Sequence, residues 1–249
     1  MERPSSSRAP RNSASLIRRR IDRGGERLWR FEDFPGIPMT ALAQALSRLA
    51  RSGTLRRLSK GVYYRGRETS FGPSLPNPAA VRKLASRKRD VFPAGMAAAN
   101  LLGFTTQMTG RGEVATSGFR LPRKLLGPDT VVHTRRPDAW AGLSDEEAAL
   151  LDFLRRGGRT SELSPEATIR RLLALLRRPR RFERLLRVAA SEPPRVRAML
   201  GASGEALGKP ARALDVLRTS LNPLSRYDFG LLRGLPGADR WQAKRERRP

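Results

Sequence analysis

The chain has 249 residues, 39% of them apolar, which is enough for one large domain or two to three small ones. Fifty Lys and Arg stand against 23 Asp and Glu, a formal charge of +27 carried almost wholly by arginine. Such an excess attracts polyanions, and nucleic acid rewards it through neutralised phosphates and released counterions. A GC-rich genome enriches arginine whatever the function, so the charge suggests a partner class and nothing more. The lack of cysteine excludes disulfides and thiolate metal sites. The single histidine, His133, cannot furnish a His-rich metal site and reads as a strand residue. No run approaches the roughly 18 apolar residues of a membrane span, and the first fifteen residues lack the apolar stretch of a secretory signal. The expectation is a cytoplasmic protein without membrane, metal or cofactor.

In chain order, residues 1–14 read as a disordered basic tail. From Ser15 the pattern is helical, with Leu16, Ile17 and Ile21 on one face, Arg18, Arg19 and Arg20 mostly solvated, and Gly24-Gly25 as the stop. Leu28 to Phe31 alternates as a short strand, and Glu32 to Phe34 forms one helical turn. Pro38 to Ser52 places Leu42, Ala45, Leu46 and Leu49 on a core-facing stripe and Thr40, Gln44, Ser47 and Arg51 opposite, with Arg48 at the edge. Gly53 terminates it. Two β-rich runs, Thr54–Leu58 and Val62–Arg65, flank a Ser59-Lys60-Gly61 turn and predict a hairpin.

A Gly- and Pro-rich linker over 66–78 marks a first domain boundary. Beyond it, 79–89 reads as a helix, Gly95–Leu102 as a small-residue helix able to pack closely, and 113–134 as a small sheet. Ser144 and Glu147 form a capping box, and Ser164-Pro165 opens a helix through Ile169, Leu172, Leu173 and Leu176. Shorter helices follow at 182–190 and 195–200, and the last fifty residues read as irregular, ending in charge. The fold class is therefore α+β: a winged helix-turn-helix over 15–67, a mixed α/β domain over 79–137, a helical region over 138–235 and a charged tail over 236–249.

The order helix, strand, turn, amphipathic helix, hairpin is that of a winged helix-turn-helix, whose second helix enters the major groove while the hairpin follows the backbone. On this basis Thr40, Gln44, Ser47, Arg48 and Arg51 face the groove, and Arg56, Arg57, Lys60 and Arg65 hold phosphates. Gln can pair with an adenine edge and Arg with guanine.

Three segments carry a resemblance. Asp33-Phe34, Ala45–Leu49, Gly53 and Lys60–Tyr64 are similar to the N-terminal domain of AbiE-type (type IV) antitoxins. Gly95–Gln107 is similar to that family's A-A-N-x-L-G-hydrophobic-T-T-Q segment, and Leu221–Gly230 to a later one, so that the likeness spans roughly Leu16 to Trp241. It implies a bacterial repressor that autoregulates a toxin-antitoxin operon whose other gene encodes a nucleotidyltransferase-like toxin.

Enzyme motifs fail on inspection. Gly110-Arg111-Gly112-Glu113-Val114-Ala115 fits a dinucleotide fingerprint only formally, because no helix follows it. Gly208-Lys209 lacks both the first glycine and the hydroxyl residue of a phosphate loop. Asp145, Glu146 and Glu147 sit where carboxylates complement a helix dipole. The partner expected is double-stranded DNA; an inverted-repeat operator would require two copies of the chain. Two other readings stay open: an RNA- or ribosome-associated basic protein, for which 6% aromatics is thin support, and an interaction module that neutralises a toxin directly.

Overall fold

The computed structural model describes residues 13–70, 72–85, 90–107, 112–118, 126 and 129–245. The chain divides into two compact units. Unit 1 comprises residues 1–85 with 122–128, and unit 2 comprises 86–121 with 129–249. Both are mixed α/β, with small sheets.

Unit 1 starts with α1 (Ser13–Gly24), so Ser13 and Ala14 belong to a helix; the rest of the expected tail lies outside the described residues. Ile17 and Ile21, four residues apart, are fully buried and anchor it. Leu16 was expected beside them but is 48% exposed, because a residue one position before Ile17 is turned about 100° away from it. β1 (Arg27–Arg30) follows, then a 3-10 turn over Phe31–Asp33 and α2 (Met39–Arg51). β2 (Arg56–Ser59) and β3 (Val62–Arg65) form the hairpin, and the antiparallel sheet runs in the order β1-β3-β2. Trp29 lies opposite Tyr63 in the register, and the two join Ile17, Ile21, Phe34, Leu42, Leu46 and Leu55 in one core. Burying a Leu such as Leu46 stabilises by roughly 1.5–3 kcal/mol.

Two glycines are required here. A Cβ on Gly24 would stand 2.4 Å from the Trp29 ring, so only glycine lets α1 end above that tryptophan. Gly61 turns the hairpin at φ 76° and lies under the Phe31 ring. A short ribbon of β4 (Glu68–Thr69) and β5 (Gly72–Pro73), then α3 (Pro78–Ala85), complete the unit; the expected continuation of α3 to residue 89 lies outside the described residues.

Unit 2 holds a second sheet in which β6 (Val91–Pro93) pairs antiparallel with β7 (Glu113–Thr116), and β7 pairs parallel with β8 (Val131–His133). α4 (Gly95–Leu101) packs on α5 (Asp145–Arg155) through Ala98 and Ala99, both buried, as the run of small residues anticipates. Phe104 stacks on Phe153 with ring centroids 3.9 Å apart. α6 (Pro165–Arg177), α7 (Arg181–Val188), α8 (Pro194–Ala206) and α9 (Ala211–Thr219) follow. One apolar core runs from Phe92 to Ala243, so residues expected as a mixed domain and residues expected as a separate helical region share it. The final stretch is not an irregular tail as far as residue 245. A 3-10 turn over Ala238–Trp241 buries Trp241 against α8, where Gly201 leaves the room: a Cβ there would lie 2.1 Å from the indole. No described helix is long and apolar enough to cross a membrane.

Candidate nucleic-acid interface

α2 separates its faces cleanly. Leu42, Ala45 and Leu46 are buried, and Leu49 is half-buried against the same core. Thr40, Gln44, Arg48 and Arg51 are exposed, with Ser47 half-buried at their margin. At 100° per residue these five positions occupy an arc of about 100° opposite the leucines. Among the described residues none of the five side chains is held by an intramolecular hydrogen bond or ion pair. Ala43, Gln44, Ser47, Arg48 and Arg51 border a shallow concavity of about 360 Å³.

The hairpin is less uniform than expected. Arg56, Arg57 and Lys60 are exposed and have no partner among the described residues. Arg56 lies opposite Tyr64 and Arg57 opposite Tyr63, so the two neighbours project from opposite faces of the sheet. Arg65 departs from the expected phosphate-holding set. Its Nη1 donates to the Ile21 carbonyl at 2.5 Å and sits 3.2 Å from Asp22, where it neutralises the C-terminal end of α1. The cause is register: β3 is the central strand, and Arg65 at its end lies beside α1 rather than at the hairpin tip. On the other face Tyr64 Oη donates to Glu26 at 2.7 Å, and that bond holds the Glu26 carboxyl below its ordinary pKa.

Unit 2 contains an ionic cluster that sequence reasoning missed. Asp152 on α5 is fully buried. Its Oδ2 accepts from the Gly95 N–H at 2.8 Å and from Arg156 Nε at 2.9 Å, while Oδ1 accepts from Arg136 Nη2 at 2.8 Å. Burial pushes this carboxyl up, but Arg156, the Gly95 amide and Arg136 outweigh it and hold it below the ordinary aspartate range. Glu113 bonds the same Arg156 and lies 2.5 Å from His133 Nε2. His133 is thus a strand residue, as expected, but one drawn into the ion network. A second branch joins Arg155 Nε to Glu192 at 2.7 Å, with Trp140 Nε1 on the other carboxylate oxygen at 2.6 Å. Only the Asp152–Arg156 pair, one helical turn apart, is readable from spacing.

The other sequence candidates have structural duties. Glu147 closes the capping box with Ser144, and Glu146 pairs with Arg178 and Arg181. Lys209 pairs with Glu183. Glu113, Val114 and Ala115 lie in β7, while Gly110 and Arg111 fall outside the described residues. Asn100 Nδ2 donates to the Thr105 carbonyl at 3.4 Å, a turn bond. Among the described residues no group of three or more His, Cys, Asp or Glu is placed to hold a metal ion.

The class defined so far is a mixed α/β protein of two units with small sheets. Among solved structures, the RV2827C protein from Mycobacterium tuberculosis is similar at 20% identity and a TM-score of 0.52, over 90% of this chain and 85% of that one. That likeness supports the fold. No protein-family model and no curated protein matches the chain.

Proposed function

We propose that unit 1 is a winged helix-turn-helix that binds duplex DNA, and that the protein acts as a sequence-specific repressor at an operator. The observation that carries this reading is the polar arc of α2: five side chains without intramolecular partners, backed by buried leucines on the opposite face. A helix is about 10–12 Å across and B-DNA's major groove about 12 Å wide, so α2 fits the groove with this arc inward. Gln44 has the donor and acceptor to meet an adenine edge, and Arg48 or Arg51 the fork to meet guanine. Arg56, Arg57 and Lys60 are the free cations of the hairpin and serve as phosphate contacts; Arg65 buttresses α1 instead. The segment resemblances at 95–107 and 221–230 favour an antitoxin that autoregulates its own operon, linked to a nucleotidyltransferase-like toxin.

A gel-shift series with the full chain tests it. Duplex from the chain's own upstream region should bind at about 0.15 M salt at least 1,000-fold more tightly than a scrambled duplex of equal length, the lower end of specific discrimination. Equal competition by the scrambled duplex would exclude sequence-specific recognition.

A further inference from the structure

Four guanidiniums meet in one concavity of unit 2. Arg136 enters from the segment after β8, Arg155 and Arg156 from the end of α5, and Arg195 from the first turn of α8, around a space of about 350 Å³. Arg135, in the left-handed region at φ 60°, makes the backbone turn immediately before Arg136. We propose that this concavity is a binding site for the phosphate group of a small molecule.

Charge balance argues for an anion there. Asp152, Glu113 and Glu192 are the carboxylates bonded to these arginines, three against four, and of them only Asp152 borders the space. Arg195 has no carboxylate partner in bonding range among the described residues; its Nη2 donates to the Arg155 carbonyl, and Asp228, an acid that feels its charge, is paired with Arg159. Arg136 Nε is buried without a hydrogen-bond partner, an unspent donor beside the site. Burial and the repulsion of Arg155 both depress the Arg136 pKa, so an incoming anion would relieve the cluster.

Geometry favours phosphate. Arginines approaching from three elements suit a tetrahedral oxyanion, which offers more acceptor oxygens than a carboxylate. The first turn of α8, with Pro193 and Arg195 on the wall, adds the positive end of a helix dipole. The side chains of Arg136, Arg155 and Arg156 are only 14%, 18% and 28% exposed, so their charges act in a partly desolvated setting where an anion is held more strongly than at an open surface.

The experiment is calorimetric titration of the full chain at constant ionic strength with two probes, inorganic phosphate and AMP. Both should bind with dissociation constants below about 1 mM. Tighter binding of AMP identifies a nucleoside phosphate as the source, and equal affinities identify free phosphate; either result supports the site. Arg195→Gln should weaken both probes about tenfold or more, with the thermal midpoint of the ligand-free chain preserved, because Arg195 holds no buried carboxylate. Exposed Arg212→Gln should leave both affinities unchanged. Absence of binding for both probes up to about 10 mM overturns the proposal, as does an equal loss in the two variants. It is also overturned if Arg195→Gln weakens duplex DNA binding and leaves AMP binding intact.

Discussion

Asp152→Ala is expected to cost unit 2 about 3–5 kcal/mol, because it strands Arg136 and Arg156 without their buried counter-charge and removes the acceptor of the Gly95 amide. Asp152→Asn keeps an acceptor oxygen and should cost less. Urea unfolding followed by tryptophan fluorescence is the measurement, since Trp140 and Trp241 both lie in unit 2. The pH dependence has a definite sign. The folded-state pKa of Asp152 is depressed, so its contribution is fully present above the unfolded value of about 3.9 and drains away as pH falls through the folded value. The difference between wild type and Asp152→Ala should therefore be the same at pH 7 and pH 5 and shrink below about pH 4. A loss under about 1 kcal/mol, or one that grows in acid, would contradict the assigned role.

The largest expected effect on binding is that of Arg48→Glu with Arg51→Glu. Two free cations on the polar arc of α2 become carboxylates, which in the proposed complex would be repelled by the DNA. Affinity for duplex should fall on the order of 100-fold at about 0.15 M salt, through the loss of base contacts worth about 1–3 kcal/mol each. Arg187→Glu with Arg212→Glu removes the same net charge from exposed positions in unit 2 and is the matched control. If the two double variants lose affinity equally, the overall field rather than α2 drives binding.

Much of unit 1 was legible because its signals are local. Leu42, Ala45 and Leu46 repeat at helical spacing, Gly53 stops the helix, and Lys60-Gly61 sits between two β-rich runs. The helix starts at Ser144 and Ser164 were equally plain, since a cap is a contact within three residues, and both serines accept from the N–H three residues on. Leu16 is exposed because α1 packs one face only, centred on Ile17 and Ile21, and sequence alone does not say how wide the buried arc of a helix is. The contacts of Arg65 with Ile21 and Asp22 are not announced by any local pattern, since which hairpin strand becomes central is set by tertiary folding. Leu214 and Leu217 within α9 and Leu221 just past its end repeat at helical spacing, so this part of the last fifty residues is legible as a helix rather than as irregular chain. The burial of Trp241 depends on Gly201, forty residues earlier, and could not be read locally. The same holds for the ionic cluster, whose members at 95, 113, 136 and 152 come together only by tertiary folding.

Operator recognition stands or falls with base reading by the outward arc of α2. Gln44→Ala, measured on the upstream duplex and on its scrambled counterpart, tests this most directly. A loss of about 1–3 kcal/mol on the upstream duplex with little change on the scrambled one is the predicted result. Equal losses on both DNAs would contradict base reading by that face.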